Sequence, residues 1–200
     1  VSVRIPWDSV LLGAVDPEER FARFPPGFTL KGMFFSRLVE IGGRHAATVQ
    51  GKLVAPPRLG RYVPFADYPQ VDYSRLAHAV ATGMFPRLPV REAMRQLARL
   101  DYATFADSTV GRVSLALVSG AESALSAFPT AFSAVLRGGT LTVKKLGPGK
   151  FDVVLTDFYG WVDCYMLGTL EGVVDHFGRQ FEAELDLHSP ISATYHLTLV

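Results

Sequence analysis

LTVKKLGPGKFDVVLTDFYGWVDCYMLGTLEGVVDHFGRQFEAELDLHSPISATYHLTLV, residues 141–200, is the stretch from which the fold class is read. Leu141 and Val143, then Phe151, Val153 and Leu155, alternate with Thr142, Lys144, Asp152 and Thr156. A period of two marks strands with one buried face. Gly147-Pro148-Gly149 lies between the two runs, so they form a hairpin in which Lys144 faces Asp152 and Val143 faces Val153. A helix follows over residues 163–177 and is closed by Gly178, a residue type suited to the position just past a helix end. Residues 181–187 and 193–200 alternate again and are joined by His188-Ser189-Pro190. Pairing Leu187 with Ala193 sets His196 opposite Glu184. The expected unit is ββαββ: two hairpins flanking one helix, forming a four-stranded antiparallel sheet.

Upstream the period changes to that of helices. Residues 29–41 carry Leu30, Met33, Phe34, Phe35, Leu38, Val39 and Ile41, with Thr29 as the expected N-cap. This apolar face is wider than one stripe, which fits either a second subunit meeting part of it or burial on both sides within one domain. Residues 44–69 hold Pro56-Pro57, Pro64 and Pro69 and read as loop. A second helix is expected from Asp72 to just before Pro86, with Leu76, Ala77, Val80 and Met84 inward. A third opens at Pro89 and carries Ala93, Met94, Leu97 and Leu100. A fourth begins at Ser108 or Thr109, and a short fifth covers residues 121–128. The expectation is one α+β domain over residues 1–200, with N-terminal helices packed on the sheet. Residues 1–28 would be an irregular wrap anchored by Trp7, Phe21, Phe24 and Phe28, residues 29–137 mainly helical, and residues 138–200 the ββαββ unit.

Apolar residues make up 48% of the 200, which is the balance of a chain with a real core. Twenty Lys and Arg against nineteen Asp and Glu leave a net charge of +1, so no bulk charge points to a nucleic-acid partner. The single Cys164 excludes an intramolecular disulfide and any multi-cysteine metal site. The weakly charged stretch 113–136 contains Glu122, Gly120 and Pro129 and reads as core helices rather than a membrane span. Residues 1–20 carry no secretory pattern, and the expected compartment is the cytoplasm.

Tyr68-Pro69, the run Glu92-Ala93-Met94-Arg95-Gln96-Leu97-Ala98-Arg99, Thr109-Val110-Gly111-Arg112, Leu146-Gly147-Pro148-Gly149 and Gly168-Thr169-Leu170-Glu171-Gly172 follow one another in the chain. In that order they resemble a lineage-restricted family of uncharacterised myxobacterial paralogues of about this length. Ala98 stands where that family usually has Gly. A more distant resemblance rests on Lys31-Gly32-Met33-Phe34-Phe35, on the helix around Gly168 and Gly172, and on the final strand. It is to the superfamily of vinyl-reductase-like domains, haem nitric-oxide sensors and transport-particle subunits. That likeness implies helices over one face of an antiparallel sheet. It also implies either a ligand or lipid-like chain held between the layers, or a dimeric assembly subunit.

The side chains offer few chemical sites. None of His45, His78, His176, His188 and His196 forms a metal-binding pair, and no metal site is expected. Haem needs one axial histidine in an apolar pocket, and His78 on its helix is the candidate. The haem sensors' Tyr-x-Ser-x-Arg signature is absent, since Tyr73-Ser74-Arg75 has the wrong spacing. Arg91, Arg95 and Arg99 recur every four residues and line one helix face. They would bind phosphate or an acidic partner, or simply be solvated and partly paired with Glu92 and Asp101. Cys164 has no base within reach and reads as a buried thiol. Gly168 and Gly172, four apart on a helix, permit close approach of a ligand or of another backbone, with helix-on-sheet packing the ordinary use. No catalytic residue is assigned. The leading reading is a non-enzymatic interaction or assembly module that self-associates through Phe34, Phe35 and Leu38 and needs no cofactor. The alternative is a small-molecule sensor with a lipid-like chain or haem between helices and sheet.

Overall fold

The computed structural model describes residues 3–4, 15–57, 60–107 and 109–200. Strand β1 (Val3–Arg4) and helix α1 (Pro17–Ala22) precede strand β2 (Thr29–Lys31), helix α2 (Gly32–Gly42) and the short α3 (Arg44–Ala47). Strand β3 (Asp67–Pro69) leads into α4 (Gln70–Met84), α5 (Val90–Asp107), α6 (Thr109–Leu115) and α7 (Ala121–Val135). The chain then runs through β4 (Leu136–Arg137), β5 (Thr140–Gly147), β6 (Lys150–Thr156), α8 (Tyr165–His176), β7 (Phe181–Ser189) and β8 (Ser192–Leu199).

The ββαββ unit forms in the register that the alternation dictates. Val143 lies opposite Val153 and Lys144 opposite Asp152. Leu187 lies opposite Ala193 and His196 opposite Glu184. Phe151, Val153, Leu155, Phe181, Ala183, Leu185, Ala193, Tyr195 and Leu197 are all buried, so a one-residue slip would turn the inner face out to water. The sheet has five strands rather than four, in the order β1-β7-β8-β6-β5. The added strand β1 pairs parallel with β7, Val3 opposite Ala183. Two residues are too few to show a period.

Other departures from the sequence expectation have local causes. Residues 29–31 are strand, and the first long helix begins at Gly32. Leu30 lies between Tyr68 of β3 and Leu136 of β4 in a second sheet, β3-β2-β4, and this two-sided pairing overrides Thr29 as an N-cap. The wrap is not irregular throughout. Asp16 caps α1, accepting from the backbone N–H of Glu18 at 3.0 Å and Glu19 at 3.2 Å. Phe21 meets His78 edge-on, and Phe24 and Phe28 both pack on Tyr159. Trp7 lies outside the described residues. Residues 44–69 include α3 and β3 as well as loop. The fifth helix does not stop at Phe128. It continues through Pro129 to Val135, with Phe132 seated between Phe128 and Phe158 at 5.6 and 5.5 Å between ring centres.

On the outer sheet face, His196 Nδ1 lies 2.7 Å from Asp152 Oδ1 and Nε2 lies 3.1 Å from Asp186 Oδ2. The bond to Asp152 first, then the one to Asp186, raises the His196 pKa above its ordinary value in spite of the counteracting burial. A raised histidine pKa stabilises the fold fully below the unfolded pKa, and the contribution fades as pH rises through the folded one. The imidazole is 41% exposed, so solvent screening holds the gain to at most about 1 kcal/mol. An NMR titration should place His196 above a model peptide, and Asp152→Asn should bring it down. A wild-type value below the peptide's would overturn the assignment.

Candidate functional site

Helices α5 and α8 are held together by a ladder of charges. Arg91 Nε donates to Asp163 Oδ2 at 2.7 Å, Arg95 Nε to Glu171 Oε2 at 2.9 Å, and Arg99 Nη2 to Asp175 Oδ2 at 2.7 Å. Arg95 also reaches Glu92 at 3.3 Å. Asp101 pairs instead with Arg37 of α2, at 2.7 Å. Asp163 and Glu171 are buried, so the arginine stripe faces carboxylates of the neighbouring element. The Arg95–Glu171 and Arg99–Asp175 pairings advance in the same direction on both helices, which therefore run parallel. Gly168 and Gly172 belong to this seam. A Cβ at Gly168 would strike the Arg95 carbonyl, and one at Gly172 would lie 2.7 Å from Tyr102 Cβ. The close approach is helix on helix, where helix on sheet was expected.

Beside the seam lies a cavity of about 510 Å³. Its walls are mostly helices, together with Leu30 and Lys31 of β2, Leu136 of β4 and the connection that precedes α8. Met33 and Phe34 of α2 line it, as do Tyr102 and Phe105 of α5 and Met166 and Val173 of α8. The main inner sheet face contributes no lining residue, so the space lies among helices rather than between helices and the five-stranded sheet. The cavity exists because α7 turns Ala124, Ala127, Ala131 and Ala134 toward it, where larger side chains would fill the gap. Phe128 and Phe132 flank those alanines, and the exposed Phe65 stands at the rim.

One part of the wall is polar. Asp101 Oδ2 lies 2.9 Å from the hydroxyls of Tyr73 and Tyr165, which are 2.7 Å from each other. Burial first, and then the Asp101 charge, push both phenols well above the usual tyrosine pKa, so they remain protonated. Burial alone raises Tyr102 to about 12. Arg37, bonded to Asp101, lies over the rings of Phe34 at 4.7 Å and Phe105 at 5.2 Å. Across the space, Trp161 donates its indole N–H to Ser74 Oγ at 2.6 Å. Trp161 holds a left-handed backbone, φ 60°, which is costly for a bulky residue and is retained by the contacts around its ring.

The residues singled out in the sequence separate into three groups. Phe34 lines the cavity, whereas Phe35 and Leu38 are fully buried in the core. Of the remaining apolar residues of α2, Val39 and Ile41 are half-buried against the core. Arg91, Arg95, Arg99, Gly168 and Gly172 build the α5–α8 seam. His78 stacks on Trp161 at 5.9 Å, and burial lowers its pKa, but it does not line the cavity. None of the five histidines does, nor does Cys164, whose thiol is pushed up by burial and then by Asp163. Haem iron calls for an imidazole, thiolate, thioether or phenolate ligand. The lining tyrosines are held as phenols, and no imidazole or thiol faces the space; Met33 and Met166 do, but a thioether ligates haem iron beside a histidine, so the residues present do not fit haem ligation. The alanine face of α7 and the Asp101 cluster are the parts that sequence reading missed. The recurrence of Ala124, Ala127, Ala131 and Ala134 along one helix was the available signal.

Helices over one face of a largely antiparallel sheet, with an apolar cavity among the helices, define an α+β domain, and solved structures of H-NOX proteins share its fold. An H-NOX protein from S. oneidensis in its Fe(II)NO ligation state superimposes with a TM-score of 0.67 at 12% identity, covering 86% of this chain and 99% of that one. An unliganded Fe(II) H-NOX mutant from K. algicida gives 0.66 at 11% identity, covering 86% and 97%. An oxygen-binding H-NOX domain related to soluble guanylate cyclases gives 0.63 at 15% identity, covering 84% and 92%. At these identities the likeness is one of fold. The chain itself belongs to the DUF2378 family of proteins of unknown function, which it matches over residues 23–198. No curated protein matches it in sequence. Among the described residues no helix is long and apolar enough to cross a membrane.

Proposed function

We propose that the chain is a small-molecule sensor domain that holds an apolar organic ligand in the helical cavity. The observation that carries this reading is the cavity itself, about 510 Å³ and walled by alanine, phenylalanine, methionine and valine side chains. A cavity of that size and character is in the range of small-molecule sites. The H-NOX neighbours, described as Fe(II) and NO-ligated or oxygen-binding proteins, support a ligand-holding role for the fold. The donor set favours a lipid-like chain over haem as the occupant here. This is the second of the two readings that the sequence offers. The first, self-association through the apolar face of α2, has less support, because Phe35 and Leu38 are buried and Phe34 lines the cavity.

Native mass spectrometry of the purified protein, with its visible spectrum, tests the proposal. The expected result is an adduct of small organic mass that solvent extraction removes, with no Soret band. Ala131→Trp should put an indole into the cavity and weaken or abolish the adduct while the protein remains folded. A Soret band in stoichiometric yield, or an adduct unaffected by Ala131→Trp, would overturn the reading.

A further inference from the structure

Among the described residues, two buried side-chain polar atoms have no hydrogen-bond partner, Thr29 Oγ1 and Gln70 Oε1. Gln70 lines the cavity and Thr29 does not. Gln70 is the first residue of α4 and is 3% exposed, so its amide is fixed within the wall. One helical turn on, Ser74 is buried and lines the same wall, accepting the Trp161 indole N–H at 2.6 Å. A hydroxyl that accepts still has its own hydrogen to donate. Residues four apart share a helix face. This face of α4 therefore offers an acceptor and a donor side by side in largely apolar surroundings. An acceptor buried there without a donor is unfavourable, and a ligand that supplies the donor relieves it.

The charge at the wall narrows the choice. The two lining cations are already paired, Arg37 with Asp101 at 2.7 Å and Lys31 with Asp67 at 2.8 Å. A carboxylate or phosphate head would enter without a free counter-charge and without a hydrogen for Gln70. A hydroxyl head suits both groups, since it donates to Gln70 and accepts from Ser74. We propose that the ligand is a neutral amphiphile, an alcohol whose hydroxyl is bound by Gln70 Oε1 and Ser74 Oγ and whose apolar body lies along Phe128, Phe132 and Val173. This rests on the sensor reading above and adds the polar identity of the ligand.

Titration calorimetry with two probes tests it. They are 1-decanol, which donates and accepts, and decyl methyl ether, which only accepts. The natural chain should bind the alcohol at least about tenfold more tightly than the ether. Gln70→Leu keeps the shape and removes the acceptor. It should bring the two affinities to within about twofold while ether binding persists. If Gln70→Leu does not fold, Gln70→Met, which keeps the unbranched length, takes its place. Equal binding of the two probes by the natural chain would mean that water serves Gln70, and would overturn the proposal. A tenfold preference that survives Gln70→Leu would overturn it as well, leaving the cavity reading intact. Failure of both probes to bind would overturn both.

Discussion

Asp163→Ala should lower the unfolding free energy by about 3–5 kcal/mol, the scale for breaking a buried ion pair by removing one partner. Asp163 is fully buried in the connection before α8. Arg20 of α1 grips it through two bonds, Nη1 to Oδ1 at 2.9 Å and Nη2 to Oδ2 at 2.7 Å, and Arg91 of α5 adds a third at 2.7 Å. One carboxylate thus ties α1, α5 and the start of α8 together. Without it, two guanidiniums with side chains only 17% and 12% exposed lose the carboxylate they share. Burial pushes the Asp163 carboxyl upward, but the two arginines outweigh it and hold the pKa below the ordinary aspartate value. A depressed carboxyl pKa contributes stability that is present above the unfolded pKa, about 3.9, and is lost as pH falls through the folded one. Urea unfolding at pH 7 and at a series of acid pH values should show the natural chain losing stability below about pH 4. The variant should lack that component. A loss under about 1 kcal/mol at pH 7 would mean that the three elements are held by packing alone.

Much of the frame was legible and the cavity was not, for a physical reason. Strand pairing follows a period of two, and long alternating runs such as 151–155 and 193–199 admit only one buried register. β1 and β4 have two residues each, and β2 and β3 three, so no period can show in them. Their pairing is set by tertiary contacts such as Leu30 between Tyr68 and Leu136. The arginine stripe was visible, but its destination was not. Arg95 and Arg99 match Glu171 and Asp175 at the same spacing of four, a complementarity that becomes meaningful only once α5 and α8 are known to be neighbours. The Asp101 cluster joins Arg37, Tyr73 and Tyr165 from three separate helices. An open space is a property of how walls fail to meet, so only its small-residue face, the alanines of α7, leaves a trace in the sequence.

Gly168→Ala carries the second large effect, and its sign is the informative part. In an exposed helix interior the change would stabilise by about 1 kcal/mol, because alanine loses less backbone entropy on folding. Gly168 is buried in α8 against α5, where an added Cβ would overlap the Arg95 backbone carbonyl and lie 2.8 Å from Ala98 Cβ. Neither obstacle can turn aside as a flexible side chain would, so one helix has to retreat. The expected result is a net loss of about 2–4 kcal/mol, seen as a lower urea midpoint at unchanged slope. The retreat should also disturb the site, since Tyr165 on the first turn of α8 reaches Asp101 on α5 at 2.9 Å. Combining Gly168→Ala with Arg95→Ala distinguishes steric loss from electrostatic loss. If the steric gap holds the charge ladder in place, the double variant should lose less than the sum of the two single changes. A stabilising Gly168→Ala would show that α8 can move away from α5 freely, and the close seam could then not be what positions the cavity wall.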